Sequence, residues 1–195
     1  MRNPLSKRVV IAEDEAIIRL DLREMLEDEG YEVVAETGRG DEAVALVAEH
    51  APDLCIFDIK MPGMDGLTAA RHVSSDRQAA VVILTAFSQR QLIEQARDAG
   101  VLSYLVKPFQ REELVSAIEV ALGRFEEMCQ LEETVRELEG QLEVRKVVDR
   151  AKGRLIDNHG MSEQDAFAFI QQTAMSGRST MLDVANRVID GLLEP

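Results

Sequence analysis

The stretch Asp53-Leu-Cys-Ile-Phe-Asp58-Ile-Lys-Met-Pro62-Gly-Met-Asp65-Gly66 reads as a short buried strand that ends on a carboxylate and breaks at once into a turn. Leu54 to Phe57 is an unbroken apolar run of strand length, and the Pro/Gly cluster behind it is a strong stop. An acid at the exit of such a strand sits at the rim of a sheet, where open α/β folds bind substrates and ions. Alone, Asp58 admits two readings: the cap of the following turn, a common use of Asp, or an active group.

Outward from this strand the same unit repeats. Residues 8–13 are an apolar run ending in acids, and Glu13-Asp14-Glu15 lies at its exit. Ile17, Ile18, Leu20, Leu22, Met25 and Leu26 then recur at helical spacing up to Gly30. Val33, Val34 and Ala35 make a second strand, and Gly38 and Gly40 turn the chain into a helix carrying Ala43, Val44, Leu46 and Val47. Beyond the quoted stretch come a helix around Leu67 to Val73, a strand over 80–85, a helix over 89–99 stopped by Gly100, and a strand over 103–106 before Lys107-Pro108. Five strands alternating with five helices predict an α/β fold with a five-stranded, doubly wound parallel sheet and right-handed crossovers.

From Arg111 helical character resumes and does not stop where such a domain should. No proline lies between 109 and 194, and Gly123 and Gly140 are the only glycines of that span before 153. Ala121, Met128, Val135 and Leu142 are seven residues apart, and Ala117, Leu131 and Leu138 supply a second seam that Arg124 and Arg145 interrupt. Seven acids and one arginine between 126 and 144 flank it. This pattern predicts a long coiled-coil helix over 111–145 joining two chains. Val147, Val148, Ala151 and Leu155 keep the helical spacing afterwards. Ser162 with an acid three residues on marks a helix start, and Gly177 precedes a last helix with Met181, Leu182, Val184, Ala185, Val188 and Ile189. Residues 146–195 thus read as a small all-α three-helix bundle, with 1–122 as the α/β domain.

Bulk composition excludes several classes. A chain of 195 residues that is 46% hydrophobic and 30% charged buries a real core. No apolar run reaches membrane-spanning length and no secretory signal opens the chain, which predicts a cytoplasmic protein that meets no membrane. Two cysteines make no disulfide scaffold. The net charge of −14 belongs wholly to residues 1–144, with 15 Lys/Arg against 29 Asp/Glu; residues 145–195 hold 7 against 7, so the tail does not exclude a nucleic-acid partner.

In a parallel sheet chemistry gathers at the carboxyl ends of the strands. Those ends carry Glu13, Asp14, Asp58, Thr85 and Lys107. Carboxylates so grouped repel unless a hard cation joins them, and Mg²⁺ suits an open set of oxygen ligands. A cation with Lys107 and the Thr85 hydroxyl would receive a phosphoryl group, for which Asp58 would be the nucleophile.

On these residues, with Met61-Pro62-Gly63-Met64-Asp65-Gly66, Thr85-Ala86 and Lys107-Pro108-Phe109, residues 7–122 resemble the receiver domain of bacterial response regulators, a flavodoxin-like fold. The resemblance implies that a sensor histidine kinase phosphorylates Asp58. It implies Mg²⁺ on Asp14, Asp58 and the Lys60 backbone carbonyl, with Glu13 helping, a cis Lys107–Pro108 bond, and a switch pair in Thr85 and Tyr104. Glu13 stands where many relatives have Asp. Residues 141–190 resemble the ANTAR domain, an RNA-binding antitermination module, through Val148-Asp-Arg-Ala151-Lys152-Gly153, Gly160-Met-Ser-Glu163, Ala166-Phe167, Ala174-Met175 and Val184-Ala185. This second resemblance implies that Ala151, Lys152, Gly153, Arg154, Arg178 and Ser179 touch RNA hairpins in nascent mRNA, read as pairs by a homodimer. The expected function is a response regulator controlling transcription antitermination, not an enzyme beyond slow loss of its own phosphate. The alternative is a receiver-based protein-interaction adaptor that binds no RNA. A DNA-binding activator would want a basic recognition helix that the tail lacks. A phosphohydrolase would want a general acid at position 60, which is Lys60.

Overall fold

In the computed structural model, residues 6–86 and 90–195 are described, and two compact units divide at Cys129/Gln130. The first unit contains β1 (Arg8–Ala12), α1 (Ala16–Asp28), β2 (Glu32–Thr37), α2 (Gly40–His50), β3 (Leu54–Asp58), α3 (Gly66–Ser75), β4 (Ala80–Thr85), α4 (Arg90–Asp98) and β5 (Ser103–Val106). Residue 89, where the sequence pattern starts the α4 helix, lies outside the described residues. All strand pairs are parallel, in the order β2-β1-β3-β4-β5. The reversal of direction falls between β1 and β3, so the carboxyl ends of those two strands border the crevice where this topology places its ligands.

The unbroken apolar runs of β1, β3 and β4 follow from burial on both faces. Successive side chains alternate between two cores. Val9, Ile11, Leu54, Ile56, Val82 and Leu84 pack on one face with Leu22 and Leu26 of α1. Val10, Ala12, Cys55, Phe57, Val81 and Ile83 pack on the other with residues of α2, α3 and α4. The outer strand β2 is only half-buried over most of its length, as an edge strand should be.

Helix α5 (Arg111–His159) enters the first unit through Leu114, Ala117, Ile118 and Ala121, all buried against the sheet core. This corrects the expected coiled-coil register: Ala117 and Ala121 cannot belong to a seam between chains, because the sheet already covers them. Farther along α5, Leu131, Val135, Leu138 and Leu142 are exposed. In the second unit the end of α5 packs with α6 (Glu163–Gly177) and α7 (Met181–Ile189) around Val147, Val148, Ala151, Leu155, Ala166, Ile170, Val184 and Val188. Ser162 caps α6 as its spacing predicts, accepting from the Asp165 amide, and Thr180 with Asp183 forms a capping box on α7.

The turn after β3 is tied back to the strand. Gly63 has φ +80, a backbone region that glycine enters without cost. The Gly66 amide donates to the Ile59 carbonyl at 2.9 Å, and a Cβ at Gly66 would stand 1.9 Å from the Asp58 carbonyl oxygen. We expect Gly66→Ala to lower stability by about 1–3 kcal/mol, the usual cost of overpacking. A thermal melt at the parent's midpoint would show that the turn yields freely.

Candidate functional site

The parallel register builds the rim. Ala12 is level with Phe57, so Glu13 and Asp58 leave adjacent strands side by side. Asp58 is level with Leu84, and Thr85 pairs with Val106, so Thr85 and Lys107 stand one and two residues beyond. Glu13, Thr37, Asp58 and Thr85 are buried polar residues at or just beyond the ends of four strands. The sequence reading thus names three of that set. It passes over Thr37, whose carbonyl accepts from the Glu13 amide and whose hydroxyl donates to Glu42.

The Lys107 ammonium lies 2.5 Å from Glu13 Oε2 and 2.9 Å from Asp58 Oδ1. The other Asp58 oxygen accepts from the Lys60 amide at 3.1 Å. Asp58 is therefore both the turn cap and a member of the acidic cluster, so its two sequence readings are not alternatives. Glu13 Oε1 accepts from the Glu15 amide, and the Arg19 guanidinium donates to the Glu13 carbonyl. Arg19 is a positioning residue that sequence reasoning missed. Its signal is its place one helical turn past the acids, on a helix face that returns toward them.

One oxygen from each of Glu13, Asp14 and Asp58 falls within 4.8 Å of the others. Asp14, Asp58, Lys60, Thr85, Leu92 and Lys107 line a pocket of about 280 Å³. Burial pushes the Glu13 carboxyl above its ordinary range; the Lys107 hydrogen bond pulls it back, the Asp58 charge raises it further, and the net direction is upward. Burial pulls the Lys107 ammonium down, but hydrogen bonds and charge from Glu13 and Asp58 outweigh that and hold it above the ordinary lysine value. Three carboxylates against one ammonium leave excess negative charge in a partly dry site. A hard, oxygen-loving divalent cation fits that donor set; both oxygens of Glu13 and of Asp58 already accept hydrogen bonds, so the more open carboxylate is that of Asp14.

Thr85 is 5% exposed, Tyr104 is 44% exposed, and both border one narrow cleft with Ile83, Leu92 and Ala96. The Lys107–Pro108 bond is cis.

The six expected RNA contacts meet different fates. Ala151 is wholly buried in the core of the second unit, where its methyl packs helices and lies away from the surface on which the expectation puts it. Lys152 is bound by Asp149 at 2.8 Å and Glu163 at 2.9 Å, with 15% of its side chain exposed. The Arg154 guanidinium donates to the Ile189 carbonyl at the end of α7. Gly153 faces open space. Arg178, exposed at φ 49, caps the end of α6, and the Ser179 amide donates to the Ala174 carbonyl.

Comparison with known proteins places both units. The model of the response regulator receiver domain matches residues 9–119, and that of the ANTAR domain matches residues 136–189. The transcriptional regulatory protein PdtaR of Mycobacterium tuberculosis is 56% identical over 189 residues, 97% of this chain and 92% of that protein. Among solved structures, the signal receiver domain of the response regulator NarL from Mycobacterium tuberculosis aligns with a TM-score of 0.58 at 30% identity, covering 62% of this chain and 98% of that one. The crystal structure of the CheX–CheY–BeF3–Mg²⁺ complex from Borrelia burgdorferi aligns with a TM-score of 0.55 at 27% identity, covering 57% of this chain and 86% of that one.

Proposed function

The chain belongs to the response regulators that join a receiver domain to an ANTAR domain, and on that premise we propose that Asp58 accepts a phosphoryl group from a sensor histidine kinase and thereby controls binding of RNA hairpins. The observation that carries this reading is Lys107 within 2.9 Å of both Asp58 and Glu13, beside Asp14, at the carboxyl edge of the sheet. A carboxylate oxygen of Asp58 attacks phosphorus, the P–N bond of the donor phosphohistidine breaks, and the leaving imidazole takes up the electron pair. No general base is needed, because the attacking group is already an anion. Lys107 then pairs with a phosphoryl oxygen and the Thr85 hydroxyl donates to another. Asp14, Asp58 and the Lys60 carbonyl would hold Mg²⁺, with Glu13 supporting them; bound there, the ion neutralises charge on the transferred group. The Borrelia CheY solved with BeF3 and Mg²⁺ supports this assignment by analogy.

The new group carries about −1.5 to −2 charges. We assign Thr85 and Tyr104 as the switch pair: as the Thr85 hydroxyl follows the phosphoryl group, the half-exposed Tyr104 ring turns into the cleft they share. Residues 1–122 are assigned to the receiver, 111–145 to the connector and 146–195 to the RNA-binding domain. Two chains associate along the exposed leucine stripe of α5, and the paired domains hold paired hairpins in nascent mRNA so that a terminator does not form. No turnover is expected beyond slow loss of the acyl-phosphate, since position 60 offers Lys60 and no general acid. A cytoplasmic setting is part of this reading; among the described residues no helix is long and apolar enough to cross a membrane.

The engagement of Ala151, Lys152 and Arg154 inside the fold favours a second reading, the adaptor that binds no RNA. Selection from a pool of hairpin RNAs, with and without a small acyl-phosphate donor and read beside oligomer mass, separates the two. The expected outcome is enrichment of paired hairpins by a phosphorylated dimer. No enrichment in either state sinks the RNA reading and leaves the adaptor.

A further inference from the structure

Between residues 145 and 157, α5 has two unlike sides. Val147, Val148, Ala151 and Leu155 are buried in the core of the second unit. Arg145, Lys146, Asp149, Arg150 and Asp157 are exposed. Spacings of three and four residues set Arg145, Asp149 and Gly153 in one row and Lys146, Arg150 and Gly153 in the next. Gly153 thus lies in the middle of the outward side, where an added Cβ would meet nothing within 4 Å. Packing within the chain does not ask for a glycine there, and a glycine inside a helix weakens it relative to alanine. Gly123 and Gly140 are equally open. Arg124 beside the first is tied to the Leu102 carbonyl, and the second lies among Glu137 and Glu139.

The cations of α5 from residue 145 onward divide in the same way. Lys146 pairs with Glu143, Lys152 with Asp149 and Glu163, and Arg154 with the Ile189 carbonyl. Among the described residues, no hydrogen bond or ion pair holds Arg145 or Arg150, whose charges reach Asp149 and Glu143 only through space. The position matters as well. Residues 126–144 carry seven acids and one arginine, a field that repels polyanions, and it ends at Glu143. Arg145 takes the place seven residues past Leu138, so the exposed apolar stripe gives way to cations at one point.

We propose that the outward side of α5 from Arg145 to Gly153 is where an RNA backbone lies, with Arg145 and Arg150 on phosphates and Gly153 leaving room for the sugar–phosphate chain to approach. This rests on the RNA-binding reading. Lys152 and Arg154 then tie α5 to α6 and α7, and they are not the primary contacts. A backbone contact of this kind gives affinity and register without base identity.

The probe is the hairpin pool enriched by the phosphorylated parent, titrated with full-length variants over a salt series. Arg145→Gln with Arg150→Gln weakens binding and flattens the slope of log K against log salt by about 0.7 to 0.9 per arginine. Arg136→Gln, whose partner is Glu132, changes neither. Gly153→Ala raises the thermal midpoint yet weakens binding, opposite signs that a purely structural glycine does not produce. A double arginine variant with the parent's affinity and slope overturns the proposal while the RNA reading stands. A parent protein that enriches no RNA overturns both.

Discussion

Asp58→Asn protein carries no acyl-phosphate after incubation with a phosphorylated histidine kinase or a small acyl-phosphate donor, by intact mass, under conditions in which the parent is converted. The amide keeps the shape of the carboxylate, and its oxygen still accepts from the Lys60 amide, so the turn after β3 holds. What goes is the anionic oxygen that attacks phosphorus; a neutral amide is no nucleophile at neutral pH. The fold should not suffer. Asp58 is one of the charges that raise the pKa of buried Glu13, so its neutralisation relieves repulsion there. Lys107 loses one partner and keeps Glu13 at 2.5 Å. A thermal midpoint no lower than the parent's, with phosphoryl uptake absent, is the expected pair of results. Uptake at the parent's level would remove Asp58 from the acceptor role, and with it the reading of the whole rim.

That rim is legible in the sequence because a parallel sheet turns strand ends into neighbours. Glu13, Asp58, Thr85 and Lys107 are far apart in the chain, but each follows an apolar run, and register does the rest. The half-buried edge strand β2 is legible only over Val33 to Ala35 of Glu32–Thr37, since half-buried residues carry a weaker apolar signal. The second unit was read less well, for two different reasons. Ala151 shares the spacing of Val147, Val148 and Leu155, so periodicity alone marks it as core, and it is buried, whereas the family motif suggests a contact. Lys152 and Arg154 are another case. Asp149 lies three residues before Lys152 on the same helix, but Glu163 and the Ile189 carbonyl lie on α6 and α7, and only the packing of three helices brings those two near. Packing on the sheet of the first unit buries Ala117 and Ala121, whose heptad spacing cannot tell a partner helix from the chain's own sheet.

Leu138→Glu combined with Leu142→Glu leaves the phosphorylated protein monomeric and costs about 10²- to 10⁴-fold in affinity for a two-hairpin RNA, while binding to one hairpin is unchanged. The magnitude is that of losing effective concentration between linked sites. The two leucines, with Leu131 and Val135, are 53–61% exposed, so the substitutions empty no core and the melting curve should not move. Energetics explain why such a stripe can act as a switch. Eight half-exposed side chains from two copies would bury enough surface for about 1 kcal/mol each, half of what full burial of one yields. Association costs about 4–15 kcal/mol before any gain appears. The seven acids per chain between 126 and 144 add repulsion when two copies align. On the proposed pairing the balance is close, and a change of a few kcal/mol at the receiver would tip it. Salt separates the two steps. Screening over about 8–10 Å favours pairing of the acidic helices, whereas the same salt weakens RNA contacts. Sedimentation of the phosphorylated parent should therefore show tighter dimers at higher salt as RNA affinity falls. Dimers that loosen with salt, or a double glutamate variant that still holds two hairpins as tightly as the parent, would mean that the stripe is not where the chains meet.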